Sequence, residues 1–395
     1  MKDSDIVIVG AARTPIGKFQ GAYKDVPATD LGAAAVRAAV ARAGIDGALV
    51  DECIMGNVVG AGLGQAPARQ AALRGGLPDS VGALTINKVC GSGLKAVMLA
   101  SALIRTGDAQ VIVAGGMESM TRAPYMLPQA RAGYRLGGGE LVDAVIHDGL
   151  WCAFEHQHMG NSAEWIAREQ GIERAAQDAF ALRSHQFAIA AQDAGRFADE
   201  IAPVEVPAGR GKTITVSVDE SPRRGTAAEQ LARLKPAFAK DGTVTAGNAP
   251  GLTDGAAALV VMSAGKAAEL GARPIARVIG AAQAGVRPLE VFTAPAFAIQ
   301  RLFERTGTTI DDYDLFEINE AFAAQVVANG RALGLDWDRL NVNGGAIALG
   351  HPIGASGARV LVTLIHALKQ RGRERGLASL CLGGGEAVAL TIELV

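Results

Sequence analysis

Charge is scarce and evenly balanced in this chain of 395 residues. Lys and Arg number 38, Asp and Glu 40, and charged residues make up only 20% of the total, for a net charge of −2. No nucleic-acid partner is expected, because such binders carry a basic stripe or patch. Long apolar runs are missing as well. No segment reaches about 18 unbroken apolar residues, so no membrane span is expected. Cysteine is rare: Cys53, Cys90, Cys152 and Cys381 form no CxxC pair, which suits a reducing cytoplasm. His156 and His158 lack a third ligand at metal spacing. The opening Met1-Lys2-Asp3-Ser4-Asp5 runs straight into Ile6-Val7-Ile8-Val9. That run is too short for a signal-peptide core and has no cleavage site after it, so it reads as a first strand.

What the chain has in abundance is glycine, 50 of 395 residues, nearly twice the usual share of about 7%. The glycines cluster as GG and GxG without a Gly-X-Y period, so tight turns are expected and collagen is excluded. The length points to roughly two or three domains with a large buried core.

Two distant stretches read alike. Ile8-Val9-Gly10-Ala11-Ala12 resembles Val278-Ile279-Gly280-Ala281-Ala282, 270 residues later. Each is followed by an amphipathic helix pattern, Leu31 to Ala43 and Ala296 to Thr306, with Gly44 and Gly307 placed as C-cap glycines. Short strand-like runs follow, Cys53-Ile54-Met55 and Leu315-Phe316-Glu317-Ile318, ending at Asn57 and Asn319. Thr85-Ile86-Asn87 then precedes Cys90-Gly91-Ser92-Gly93 and a helix. Asn341-Val342-Asn343 precedes Gly350-His351-Pro352-Ile353-Gly354 and another. Both halves close on a strand ending in glycines, at Gly115-Gly116 and Gly383-Gly384. Five elements repeated in order imply a duplicated α/β architecture with largely parallel strands covered by helices.

The N-terminal half spans 1–121 and is completed by about 252–273; the C-terminal half spans 274–395. Residues 122–251 have no counterpart and read as an inserted, loop-rich domain, a natural place for substrate contacts. Within it, Asn161-Ser162-Ala163-Glu164 carries N-cap chemistry, a helix is predicted over Arg174 to Ala194, and a strand over Thr213 to Val218.

Cys90 lies between a strand and a helix, where free N–H groups and the helix dipole favour thiolate; a buried structural cysteine is the competing reading. His351 sits in the matching turn of the second half. Two such turns meeting at one sheet end would bring nucleophile and base within reach, whereas a lone loop histidine would bond its own backbone. Cys381 precedes a glycine run whose N–H groups can face an anion; it reads as an acid/base partner of the first cysteine or as a core residue. Asn319 reads as the cap of a helix from Glu320 to Gly330. Glu118, after Gly115-Gly116-Met117, reads as a structural carboxylate first and a catalytic one second, and Arg371, Arg373 and Arg375 as a solvated run. Gly60-Ala61-Gly62-Leu63-Gly64 does not have dinucleotide-fingerprint spacing.

Taken together, Asn87-Lys88-Val89-Cys90-Gly91-Ser92-Gly93, Gly115-Gly116-Met117-Glu118-Ser119-Met120, Asn319-Glu320-Ala321-Phe322-Ala323, Asn343 through Gly354 and Cys381-Leu382-Gly383-Gly384-Gly385 resemble the thiolase family over essentially the whole chain, and within it the acetyl-CoA acetyltransferases. The resemblance implies a duplicated five-layer αβαβα fold with the inserted loop domain binding coenzyme A. It implies a reversible Claisen condensation of two acetyl-CoA to acetoacetyl-CoA and CoA. Cys90 would be acylated after His351 takes its proton, and Cys381 would then remove the α-proton of the second acetyl-CoA. His351 with a water held by Asn319 would form one oxyanion site, and the N–H groups of Cys90 and Gly383 the other. His158, Met159, Arg223, Phe238, Ala246, Pro250 and Phe322 fall at positions of substrate and CoA contact. No cofactor is implied beyond coenzyme A as substrate and product, and a homo-oligomer, tetramer or dimer, is expected in the cytoplasm.

The chain departs from the family at Pro250, where a serine is usual, at Val291-Phe292, and at Glu386-Ala387 after the glycine run. Pro250 removes both a hydroxyl and an N–H, Phe292 bears on acyl chain length, and a buried Glu386 would bear on Cys381. Two further readings stay open: a degradative 3-ketoacyl-CoA thiolase for longer or carboxylated chains, and a non-catalytic acyl-CoA or lipid carrier on the same scaffold.

Overall fold

The long strands are apolar on both faces, and the two faces belong to different cores. Along β1 (Ile6–Arg13), Val7 and Val9 join one apolar cluster while Ile6 and Ile8 join another. Such period-two sorting is what a strand buried on both sides requires. The computed structural model describes residues 1–209 and 211–395. Its main sheet contains β1, Glu52–Gly56 (β2), Gly82–Ile86 (β3), Val111–Ser119 (β4), Thr253–Ser263 (β5), Ala276–Gly285 (β6), Leu315–Ile318 (β7), Arg375–Leu382 (β8) and Glu386–Leu394 (β9). The order is β7-β8-β9-β6-β1-β5-β4-β2-β3, with Gly17–Lys18 pairing beside β5.

The repeat read from the sequence is physical. The series β1-β5-β4-β2 and β6-β9-β8-β7 have the same order and polarity: antiparallel, antiparallel, parallel. Both first strands shift register at the same place, between Ile8 and Gly10 and between Val278 and Gly280. The half-sheets join where Val7 and Ile8 pair with Arg277 and Ala276. β3 adds to the first half in parallel, while the stretch at Asn341 that matches it has only a single bridge beside it, Phe316 to Leu340.

Helix α1 (Ala28–Ala43) packs Leu31, Val36 and Ala39 on the outer face of the first half-sheet. Helices α2 (Ser92–Thr106) and α4 (Ile353–Arg371) lie between the half-sheets, where Leu94, Val97, Leu361 and Leu364 meet Ile54, Leu259, Leu380 and Leu390. Helix α3 (Ala294–Thr306) covers the far face with Ile299 and Leu302. Helix, half-sheet, helix pair, half-sheet and helix make five layers. Gly44 and Gly307 end α1 and α3 at φ 66° and 67°, a left-handed conformation that costs a residue with a Cβ free energy. The window Val89–Thr106 is apolar and long enough for a membrane span, with mean hydropathy 1.3, but α2 spends that apolar surface on the two half-sheets.

Between β4 and β5 lies the inserted segment, with helices Met159–Glu169 and Arg174–Asp193 and the hairpin Val204–Pro207 with Thr213–Val216. It is moored by fully buried charge. Arg13 Nε bonds Glu200 at 2.6 Å and Arg13 Nη1 bonds Asp219 at 2.7 Å. Two local expectations fail. The first insert helix begins at Met159, capped by His158 Nδ1 accepting from Gly160 N–H, and Glu164 instead accepts from Thr243 and Val244 N–H. The helix after Asn319 begins at Ala323 with Phe322 at its N-cap position, so Asn319 caps nothing.

Candidate active site

Cys90 follows β3 in a tight turn. Val89 holds φ 45°, a rare conformation for a β-branched residue. Asn87 Oδ1 accepts from Val89 N–H at 2.9 Å, and Ser92 Oγ accepts from Lys88 N–H at 2.8 Å. The facing turn of the other half is so near that a Cβ on Gly91 would lie 2.2 Å from Leu382 Cδ2. That closeness leaves the Gly383 N–H near enough to the Cys90 sulfur to pull its pKa down, as the N–H of Cys90 itself does.

His351 lies just ahead of α4. Its Nδ1 is 2.6 Å from Ser356 Oγ, and that hydroxyl donates to Pro352 O at 2.9 Å. With its one proton committed, Ser356 can only accept from the ring. Nδ1 therefore carries the hydrogen, and Nε2, which has no partner among the described residues, keeps a free lone pair. Asn319 stands beside the ring, Nδ2 3.5 Å from Nδ1, with its Oδ1 buried and unpartnered.

Cys381 is buried near the end of β8. A single cavity of about 400 Å³ is lined by Cys90, His351, Cys381 and Gly383, and also by His158, Met159, Phe238, Ala246, Pro250 and Phe322. Its walls are apolar. Cys90 packs in a cluster with Met120 and Leu150, Cys381 in another with Phe292 and Phe322. His158 stacks on Phe238 at 4.8 Å, and Phe292 meets the Phe322 ring edge-on at 5.3 Å.

Burial sets the resting protonation states. It pushes the Cys90 thiol up to about 12, against the opposing pull of the Gly383 and Cys90 N–H groups. The thiolate that the helix N-terminus was expected to favour is thus outweighed by desolvation. Burial also raises Cys381 well above the ordinary thiol value, and the neighbouring Cys90 adds to the rise. His351 is pulled down to about 3 by burial and by Arg359. The resting set is two thiols and a neutral imidazole.

Of the predicted residues, Asn319 and Arg223 do not line the cavity. Asn319 lies behind His351, and exposed Arg223 borders a separate depression with His185, Asp193 and Thr226. Glu386 is not buried; it pairs with Lys88 at 2.6 Å on the surface. Arg371 is not simply solvated, since it donates to Val342 O and Asn343 Oδ1. Ser356 was missed, though its spacing one turn after His351 on a helix start was a usable signal. Met120 and Leu150 were missed because apolar wall residues look like core in sequence, while Val291 and Phe292, singled out as departures from the family, both line the cavity.

The chain matches the family models "Thiolase, N-terminal domain" over residues 6–265 and "Thiolase, C-terminal domain" over residues 272–394. It is 55% identical to an acetyl-CoA acetyltransferase of Pseudomonas aeruginosa, over 98% of this chain and 99% of that protein. It is 54% identical to one of Cupriavidus necator, over 99% of each. A crystal structure of the Bacillus anthracis acetyl-CoA acetyltransferase superposes with a TM-score of 0.97 at 47% identity, covering 99% of both chains.

Proposed function

The chain belongs to the thiolase family, and from that premise we propose that it is an acetyl-CoA C-acetyltransferase, interconverting two acetyl-CoA with acetoacetyl-CoA and CoA. The observation that carries this reading is the convergence of two sulfurs, an unpartnered imidazole nitrogen and two backbone donors on one apolar cavity.

The protonation states prescribe the order of events. Cys90 starts as a thiol, so His351 Nε2 takes its proton as the sulfur attacks the thioester carbonyl. The oxyanion forms where the Cys90 and Gly383 N–H groups point; such donors are each worth about 10²–10³-fold. Cys381, also a thiol, gives its proton to the departing CoA sulfur and becomes a thiolate. Acylation has by then removed the charge that Cys90 would set against it. The Cys381 thiolate takes the α-proton of the second acetyl-CoA, and the carbanion attacks the acyl carbon. Its enolate oxygen is placed against His351 and a water on Asn319. Cys90 leaves as sulfide and recovers its proton from His351, so every proton is returned.

The Phe292 and Phe322 rings favour small acyl groups over the degradative, long-chain reading. The catalytic set disfavours the carrier reading. Four free thiols support a reducing, cytoplasmic setting, and we take the working form to be a homo-oligomer. The decisive assay mixes the protein with acetoacetyl-CoA and CoA and follows the 3-ketoacyl absorbance. Rapid loss, with kcat/KM peaking sharply at four carbons, is expected. No loss would remove the reading, and a peak at longer chains would transfer it to the degradative alternative.

A further inference from the structure

Glu118 is fully buried and pairs with no cation among the described residues, yet it accepts four hydrogen bonds. Its Oε1 accepts from Asn57 Nδ2 at 3.0 Å and Val59 N–H at 3.2 Å. Its Oε2 accepts from Val58 N–H at 3.0 Å and Gly354 N–H at 2.9 Å. Three of these donors belong to the segment after β2, in the half that carries Cys90. The fourth is in the first turn of α4, three residues beyond His351. Burial pushes Glu118 up to about 7, while the N–H donors of Gly354, Val58 and Val59 pull it down, as does the positive end of the 19-residue helix α4.

The backbone around this carboxylate has no slack. A Cβ on Gly116 would sit 2.0 Å from Gly354 O, one on Gly56 2.8 Å from the same oxygen, and one on Gly354 2.8 Å from Met117 O. Three glycines thus let the strand ends of one half touch the helix start of the other, immediately behind the base. The opposite flank of the same segment is held by a second buried carboxylate. Glu320 accepts from Ile347 N–H at 3.0 Å, from Asn341 Nδ2 at 2.9 Å and from Ser184 Oγ at 2.7 Å. The stretch 347–354 is therefore gripped at both ends, and of these two carboxylates it is Glu118 that crosses between the halves.

We propose that Glu118 is a positioning residue for the reaction: by joining the Asn57–Val59 segment to Gly354 it sets the register of His351 against Cys90. The proposal rests on the thiolase reading for its activity assay but not for its reactivity assay. Proton transfer needs heavy atoms within hydrogen-bond reach, and a shift of about 1 Å costs about 10²-fold. A glutamine at position 118 keeps the volume but turns one oxygen into an NH₂ that faces two N–H donors, so the joint is forced open.

The test compares wild type, Glu118→Gln and Asn57→Ala, the last removing only one donor. Folding is checked by circular dichroism, and kinetics are run at a temperature where all three are folded. Expected for Glu118→Gln is a kcat lower by about 10²-fold with KM for acetoacetyl-CoA changed less than threefold. The rate of Cys90 alkylation by iodoacetamide should drop in parallel. Asn57→Ala should move both rates the same way by a smaller factor. A folded Glu118→Gln with kcat and alkylation rate within twofold of wild type, and only its melting temperature lowered, would overturn the proposal. If Glu118→Gln does not fold, Asn57→Ala decides: unchanged kcat and alkylation overturn it. An inactive wild type that still shows the alkylation difference would instead count against the thiolase reading and leave the positioning role supported.

Discussion

The two halves share strand order, polarity and even the register shift of their first strands, yet they end in opposite chemistry. In the first half, β3 leads into a strained turn that presents a half-buried cysteine. In the second, the matching turn offers a buried histidine whose tautomer is locked by Ser356. A further difference follows at the next strand. β4 runs on through Gly115 and Gly116 to Ser119 and enters the insert. β8 stops at Leu382, and Gly384 and Gly385 at φ 90° and 89° turn the chain back into β9. That reversal takes Gly383 out of the strand, and its N–H acts on the Cys90 sulfur. The comparison teaches that a duplicated scaffold provides two equivalent positions at one sheet end, and that specialisation lies in what each turn does with its backbone.

The largest effect should come from exchanging the roles of the two sulfurs. Cys90→Ser should abolish acyl-enzyme formation, whereas Cys381→Ser should still acylate, as read by mass spectrometry with acetyl-CoA, while losing condensation. Equal loss of both steps in the second variant would erase the proposed asymmetry. His351→Ala should follow, losing about 10²–10⁴-fold in kcat with the acylation step slowed; an unchanged acylation rate would mean that Cys90 loses its proton elsewhere.

Ser356→Ala should cost less, roughly tenfold, by freeing the ring to put its proton on Nε2. The sharper readout is the ring-nitrogen NMR signal of His351, which should change from one tautomer to a mixture. A single retained tautomer would show that Ser356 is not what selects it. The smallest effect concerns stability. His351 is held at about 3, and His185 and His366 at about 4, all lowered mainly by burial. Between those values and the unfolded value of about 6.5, the unfolded chain binds more protons, so stability falls as pH drops through that window. Against this fall, burial raises Glu118, Glu317 and Asp254 to about 7, 8 and 6, which adds stability as pH drops. The histidine share, on the order of 2 kcal/mol for His351 alone, is therefore read as the difference in urea midpoint between wild type and His351→Gln from pH 7 to pH 5. An equal pH dependence in the two proteins would mean that His351 charges without penalty.

Much of this is legible in the sequence. The offset pairs Gly10 with Gly280 and Asn57 with Asn319, and both turned out to be structural equivalents of the duplication. Cys90, His351 and Cys381 stood out because each reactive side chain sits in a glycine setting. Capping was read less well: His158 and Phe322 occupy cap positions where Asn161 and Asn319 were expected, because tertiary contacts to Thr243 and to His351 had other uses for those segments. The Cys90 ionisation was misjudged for a related reason. A helix N-terminus is visible in sequence, but the apolar walls that desolvate the thiol are supplied by residues up to about 300 positions away.

The amino-acid order alone determined the duplicated α/β plan and the inserted segment and singled out Cys90, His351 and Cys381 as the candidate reactive residues, because each is written in local periodicity and turn chemistry. The tertiary structure alone decided that the thiols rest protonated, that His351 offers Nε2, and that Glu118 ties the halves together at bare backbone. Those outcomes depend on desolvation and on distances between segments far apart in the chain, and no local pattern encodes either.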